Sequence, residues 1–246
     1  MHVIWLPISK EKVKEELRMF YFSPDIQYIV IIGDMKNSQK IQDRNKVQEK
    51  LKSVLKEINK KYKKDIASKI MITLGDEFQG IFCSGASILT IIEEIQEGME
   101  PIEIRFGIGV GKITTRVNAK MAIGADGPGF YNARKAIESL KADEQKNKTC
   151  LAEARIEIDE DENNVAMLIN TVFSLMKVIK NNWTNRQREI IQELEKSGGN
   201  QTECAKRLGV AQSTINRGLN SGNFYAYKNA QDTINHVLKE MDNKDV

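Results

Sequence analysis

Histidine and cysteine are scarce in this chain, and their scarcity excludes several classes of site. The 246 residues include only two histidines, His2 and His236, too few for a multi-histidine metal centre, and a histidine-based catalytic triad is nearly excluded. The three cysteines, Cys83, Cys150 and Cys204, are far apart and form no CxxC pair. This spacing gives no zinc signal and fits a reducing compartment.

Long apolar runs are also missing. The N-terminal stretch MHVIWLPISKEK is too short for the core of a signal peptide, and charged residues follow it at once. No later run approaches the roughly 20 apolar residues that a membrane span needs. We therefore expect a cytoplasmic protein with no membrane span.

A strong excess of positive charge is absent as well. The net charge is +3, from 37 basic and 34 acidic residues. The chain as a whole is therefore no polycation, and any binding to nucleic acid has to be local. The largest local excess lies between Lys36 and Lys69, with twelve basic and four acidic residues. It predicts either an anion-binding surface or the solvated face of an amphipathic helix.

Apolar periodicity predicts an α+β fold. The predicted elements are a buried strand at residues 28–32, an amphipathic helix at 39–62, a hairpin at 68–84, a helix at 87–97, a strand at 102–114, a helix at 130–143 and a strand at 150–158. This order is β-α-β-β-α-β with one further helix and strand. It predicts a ferredoxin-like (split βαβ) palm-type domain with helices on one face of an antiparallel sheet.

The same pattern suggests a division of the chain into segments. They are an N-terminal extension at residues 1–25, the palm-type domain at 26–162, a connecting helix at 163–182 and an all-helical helix-turn-helix domain at 183–246.

Two acidic stretches, VIIGDMKNS and ITLGDEFQGIF, interrupt the predicted strands. In this topology the end of the first strand and the hairpin are neighbours, so Asp34 and Asp76 are expected to face one ledge. Mg²⁺ takes carboxylate oxygens together with waters and substrate phosphates, so the pair predicts a metal–nucleotide site. The alternative is ordinary turn chemistry, in which an Asp at the end of a strand bonds its own chain.

Phosphate contacts are predicted at two loops. Lys36, Asn37 and Ser38 follow the first strand, where amides at the start of the next helix are able to hold phosphate. The alternative is a capped helix start. Gly127 and Gly129 lie in a glycine-rich loop before another helix, and the alternative for them is a flexible turn.

Together with IRFGIGVGKI and GADGPGFYNARKAIE, these stretches resemble the palm domain of class III nucleotidyl cyclases and GGDEF diguanylate cyclases. The resemblance implies that Asp34 and Asp76 hold two metal ions, Mg²⁺ or Mn²⁺, on a nucleoside triphosphate, with Glu77 as a further ligand. Over residues 28–225 the ensemble also resembles the SatD family, which shares VIIGDMKNS, LGDEFQG and a C-terminal helical segment.

The cyclases carry an Asn and, four residues later, an Arg on the helix after the glycine-rich loop, where they orient the ribose and stabilise charge on phosphate. The resemblance therefore implies nucleotide binding at Tyr131 and catalytic roles for Asn132, Arg134 and Lys135. Aligned on Ala133, Tyr131 and Lys135 occupy the two family positions, while Asn132 and Arg134 lie one position away. This departure favours nucleotide binding over cyclisation.

The C-terminal stretch QTECAKRLGVAQSTINRGLN resembles a helix-turn-helix. Small, glycine and apolar residues stand at the offsets where such helices cross and pack, namely Ala205, Leu208, Gly209, Val210 and Ile215. The second helix would present side chains that reach bases and phosphates of double-stranded DNA, namely Gln212, Ser213, Thr214, Asn216 and Arg217. Residues 183–246 hold nine basic and eight acidic residues, so a protein contact is the alternative.

Three functions follow from these patterns. The leading hypothesis is a homodimeric DNA-binding regulator whose palm-type domain binds a nucleotide with Mg²⁺. The rival is an enzyme, a nucleotidyl cyclase or transferase, in which Asp34 and Asp76 hold metal ions on a triphosphate. The third is a catalytically inert palm that serves as a dimerisation scaffold, which predicts acids that are far apart or bonded to lysines.

Overall fold

One mixed sheet and eight α-helices make up the regular structure of the described residues, which in this computed structural model are 28–147, 150–159, 161 and 164–240. The strands are β1 (Tyr28–Met35), β2 (Ile66–Leu74), β3 (Glu77–Phe82), β4 (Ile104–Gly111) and β5 (Ala154–Ile158). The helices are α1 (Arg44–Lys61), α2 (Ile88–Met99), α3 (Pro128–Asn147), α4 (Val165–Asn181), α5 (Asn185–Lys196), α6 (Gln201–Leu208), α7 (Gln212–Ser221) and α8 (Phe224–Glu240). The predicted extension at residues 1–25 lies outside the described residues.

The strand order is β2-β3-β1-β4-β5. β1 lies in the middle and is antiparallel to β3 and β4, whereas β5 is parallel to β4. All residues of β1 after Tyr28 are buried, as its apolar run predicts. The sheet is thus mixed, whereas the sequence predicts an antiparallel one. The difference lies at β5: the long connection through α3 brings the chain back so that β5 runs in the same direction as β4.

Helices cover both faces of the sheet, whereas the sequence predicts them on one. Ile29 and Ile31 belong to the large apolar cluster that includes residues of α1, α2 and α4. Val30 and Ile32 point the other way and pack with Ala133 and other residues of α3. Because alternate residues of β1 are apolar on both sides, each side of the strand needs its own cover.

Helix α3 approaches the sheet closely because β4 has glycine at alternate positions. Gly107, Gly109 and Gly111 all face α3. A Cβ built on Gly109 would lie 2.0 Å from the carbonyl oxygen of Gly129. Any side chain on this row would therefore push the helix away from the sheet.

The C-terminal helices share the large apolar cluster with the sheet. Tyr227 of α8 donates a hydrogen bond to Glu93 of α2 (2.9 Å), and Trp183 Nε1 donates to the carbonyl of Gly222 (2.7 Å). The aromatic segment FYAY, residues 224–227, forms the first turn of α8. Phe224 and Tyr227 are buried there, because their spacing puts both on the inner side of the helix. None of the described helices combines the length and apolar character that a membrane crossing requires.

Candidate functional site

A row of charged residues crosses the three inner strands, β3, β1 and β4, beneath α3 and near the end of β1. Asp34 of β1 is paired with Glu77 of β3 on one side and with Arg105 of β4 on the other. Residues directly opposite in antiparallel strands project to the same face, so the three side chains share the face that carries Ile32. Asp34 is 7% exposed and Glu77 is 8% exposed.

Basic side chains from α3 and β4 donate hydrogen bonds to the carboxylates of Asp34 and Glu77. Asp34 Oδ2 accepts from Arg105 Nη1, and Asp34 Oδ1 accepts from Lys141 Nζ, each at 2.8 Å. Arg134 forms two bonds to the two oxygens of Glu77, one of them from Nη2 to Oε1 at 2.8 Å. A buried carboxylate is stable when it is paired and hydrogen-bonded in this way.

The network continues from Arg105 to Lys36. Arg105 Nη2 donates to Glu144 Oε2 (2.6 Å), and Lys36 Nζ lies 2.9 Å from Glu144 Oε1 and 2.9 Å from Cys150 Sγ. Burial opposes the charge on Lys36, but the bonds to Cys150 and Glu144 raise its pKa. Burial alone would raise the pKa of Glu144, but Arg105 and Lys36 lower it. Positive and negative groups therefore alternate and keep one another ionised.

Asp76 lies in the hairpin turn and not in this row. Its carboxylate accepts a hydrogen bond from Ser38 Oγ (2.5 Å), and its carbonyl accepts from the amide of Met35 (3.0 Å). Because Glu77 follows the two-residue turn directly, it is the hairpin acid that pairs with Asp34. That Asp34 and Asp76 face one ledge stays a prediction.

The residues with a predicted phosphate contact, Lys36, Asn37 and Ser38, lie before and at the start of a short 3₁₀ turn. Lys36 is buried in the salt-bridge network, and Asn37 has a left-handed backbone (φ 53°) before the short 3₁₀ turn Ser38–Lys40. Helix α1 begins only at Arg44, where Asp43 already caps the amide of Lys46 (3.0 Å). The three predicted residues therefore do not stand at the N-terminus of α1.

A magnesium ion needs carboxylate oxygens that are open to it. All four carboxylate oxygens of Asp34 and Glu77 already accept bonds from Lys or Arg, and Asp76 accepts one from Ser38. Within the described ranges no three His, Cys, Asp or Glu side chains are grouped so that they could hold a metal. With their oxygens bonded in this way, these carboxylates do not fit Mg²⁺. Binding of Mg²⁺ stays a prediction from the resemblance.

The other predicted catalytic and nucleotide-binding residues have separate partners. Asn132 Nδ2 donates to the carbonyl of Val110 (3.0 Å), and Lys135 pairs with Glu157 (2.8 Å). Tyr131 Oη donates to Asp126 (2.8 Å). Of the three predicted catalytic residues, Arg134 reaches the acidic row.

The two predicted glycines lie at the start of α3. The amide of Gly129 donates to the carbonyl of Lys112 (3.2 Å), and the carbonyl of Gly127 accepts from the amide of Phe130 (2.9 Å). They thus hold the first turn of α3 against the chain that follows β4.

A second candidate site lies on the helices α5, α6 and α7. α6 ends at Gly209, whose left-handed backbone (φ 64°) turns the chain toward α7. Ile215 is fully buried and Ala205 nearly so, as predicted. Gly218, which stands where helix-turn-helix motifs usually place an apolar residue, is where α7 meets α5: a Cβ there would lie 2.8 Å from Ile190 Cδ1.

The outer side of α7 is polar. We call its predicted DNA-contacting side chains the α7 surface: Gln212, Ser213, Thr214, Asn216 and Arg217. All are exposed except Thr214, which is half-buried. Gln212 donates to Gln201 of α6 (2.6 Å), and Arg217 forms no ion pair with any described residue.

A family model described as "SatD family" matches residues 28–238, which is most of the chain. The chain belongs to the SatD family. No curated protein matches it. In this SatD-family chain the match runs from β1 to α8, so it covers both candidate sites.

Sequence reasoning did not single out three members of the salt-bridge network: Arg105, Lys141 and Glu144. Arg105 stands between two apolar residues of a strand, so alternation puts it on the opposite face from them. Lys141 and Glu144 follow Arg134 at spacings of seven and ten, which puts all three on one side of α3. That pattern could have revealed the network.

Proposed function

We propose that this SatD-family protein binds double-stranded DNA through the α7 surface, with its α+β part serving as the scaffold that carries and regulates the binding helices. The single observation that carries the proposal is the polar outer side of α7, where Arg217 has no ion-pair partner among the described residues. Side chains of these types reach base edges and phosphates when a helix enters the major groove.

The arrangement of α5, α6 and α7 supports a helix-turn-helix. α6 and α7 are joined through Gly209, and α5 supplies Ile190, Ile191 and Leu194 as a buried backing. Caps fix the ends, since Asn200 accepts from the first amides of α6 and Thr184 with Gln187 forms a capping box on α5. Because such motifs usually act in pairs on symmetric sites, we propose a homodimer in the cytoplasm.

The order of the first four strands, with α1 and α2 on one face, supports a ferredoxin-like core of the palm type. Within it the acids are bonded to Lys and Arg, which is what the scaffold alternative predicts. A nucleotide ligand with Mg²⁺ stays a prediction from the resemblance.

Selection of genomic DNA fragments tests the proposal. Purified full-length protein is incubated with sheared genomic duplex fragments, and the bound fragments are sequenced. We expect a shared sequence with two-fold symmetry, lost in an Asn216→Ala/Arg217→Ala variant and kept in a Lys239→Ala control, which removes an exposed charge from α8. Recovery of the same fragments by the α7 variant would overturn the proposal.

The enzyme alternative has one observation in its favour, the direct pairing of two buried acids, Asp34 and Glu77. Mass spectrometry of products tests it, after incubation with the four ribonucleoside triphosphates and Mg²⁺ or Mn²⁺. A cyclic or linked nucleotide formed by the unmutated protein, and not by Asp34→Asn, would support the enzyme. Unchanged triphosphates would leave the DNA-binding proposal standing alone.

A further inference from the structure

A groove lined by lysines runs between α1 and the edge strand β2. Its volume is about 960 Å³. Six exposed lysines line it, namely Lys52, Lys56, Lys60, Lys63, Lys69 and Lys120, and no acidic residue does. We call this the lysine groove.

Within the described part of the chain, the charges of the lysine groove are almost all without an ion-pair partner. Lys52 pairs with Glu49 at 2.6 Å, in an exposed contact of the kind that contributes little. The other five form no ion pair with any described residue. This contrasts with the sheet face beneath α3, where every buried acid has basic partners. Five ammonium groups around one depression form a site of positive potential.

The floor of the groove is apolar, and backbone groups of β2 beside it are already hydrogen-bonded. Leu55 and Ile70 are buried beneath the lysine stems. Asn59 donates to the carbonyl of Ile70 and accepts from its amide, each at 2.8 Å, and the amide of Lys69 donates to Ala119 (3.2 Å). The outer edge of β2 thus has few free backbone groups for an added strand.

Lysine is the only basic residue in the groove, and no aromatic residue lines it. Lysine acts as a point charge on a flexible stem and attracts phosphate without reading sequence. Grooves for single-stranded nucleic acid also carry aromatic side chains on which bases stack. A duplex, whose bases stack on each other, needs phosphate contacts alone.

We infer that the lysine groove binds the phosphate backbone of duplex DNA without sequence preference. Lys52, Lys56 and Lys60 recur every four residues on α1, so their stems rise by about 6 Å each along the helix and offer a row of contacts. The choice of DNA over duplex RNA rests on the proposed function, whereas the charge and shape arguments do not. The near-neutral charge of residues 183–246 leaves the α7 surface few phosphate contacts of its own, whereas the groove offers several.

Salt-dependent binding of the full chain to a fluorescent duplex of random sequence tests this inference. The groove variant is Lys56→Gln/Lys60→Gln/Lys63→Gln, and the matched control is Lys40→Gln/Lys146→Gln/Lys239→Gln, with the same loss of charge at exposed positions elsewhere. For three lost phosphate contacts, the slope of log K against log salt should become shallower by about 3 in the groove variant. The control should keep more of the original slope.

Equal slopes for the two variants would overturn the inference and assign the groove lysines to the solvated face of α1. Equal binding of duplex RNA would overturn the choice of DNA, and equal binding of a polyglutamate peptide would overturn the choice of a phosphate backbone. The α7 surface is tested separately by Arg217→Ala. If that variant keeps its selected sequence while the groove variant loses its slope, the proposed function fails and the groove remains.

Discussion

The sheet face beneath α3 and the lysine groove differ in how their charged side chains are paired and exposed. Beneath α3, Asp34 and Glu77 are buried, and Arg105, Lys141 and Arg134 bond all their carboxylate oxygens. In the groove, exposed lysines stand together with no acid among them. Paired buried charges are costly to disrupt and hold a structure together, whereas unpaired surface charges are available to a partner.

The largest expected effect comes from breaking a buried pair. Asp34→Asn leaves Lys141 and Arg105 without their shared carboxylate, and we expect the free energy of unfolding to fall by about 3 kcal/mol. Urea unfolding measures this loss. The matched control is Glu49→Gln, which breaks the exposed pair with Lys52 and should cost less than about 1 kcal/mol. Similar losses in both variants would contradict the contrast between the two regions.

A second, half-buried cluster links α4 to the residue before β5 and gives a prediction in pH. Burial alone would raise the pKa of Glu153, but the charges of Lys180 and Lys177, at 3.0 Å and 2.6 Å, hold it at about 2. Because this folded-state pKa is below the ordinary value of 4.5, the stabilisation is full above about pH 5 and is lost as pH falls toward 2.

Glu153→Gln should therefore cost about 2 kcal/mol at neutral pH, and the difference from the unmutated chain should shrink below about pH 4.5. Urea unfolding at a series of pH values measures the difference. A cost that stays constant with pH would mean that Glu153 acts by packing and not by charge.

Close packing between α5 and α7 gives a smaller effect. In Gly218→Ala the new Cβ has to displace the end of the Ile190 side chain, which costs about 1 kcal/mol after the gain in helix propensity. The thermal midpoint of unfolding measures it, and Ile190→Val in the same chain should relieve part of the loss. No relief would mean that the two side chains do not meet.

The smallest effect on stability is expected in the lysine groove. The triple variant of Lys56, Lys60 and Lys63 should change the free energy of unfolding by less than about 0.5 kcal/mol, because these side chains are exposed and pair with no acid among the residues that the structure describes. Urea unfolding measures it beside the DNA titrations described above. A large loss would show that the lysines have structural partners.

Local patterns predicted much of this fold, and non-local pairing explains what they missed. β1, the hairpin and most helices follow from apolar periodicity in neighbouring residues. The parallel pairing of β5 and the position of α3 depend on contacts between distant segments. The acidic row is the clearest case: the sequence pointed to Asp34 as a metal ligand, which stays a prediction, while its ionic partners Arg105 and Lys141 lie 71 and 107 residues away.

The α7 surface gives the most direct test of two linked claims: the charges beneath α3 are structural, and the side chains of the α7 surface contact DNA. Fluorescence anisotropy would compare Arg217→Ala with Asp34→Asn on the selected duplex, at equal concentrations of folded protein. We expect Arg217→Ala to weaken binding by about tenfold or more, and Asp34→Asn to leave it unchanged. Unchanged binding by Arg217→Ala, or an equal loss in both variants, would contradict the account.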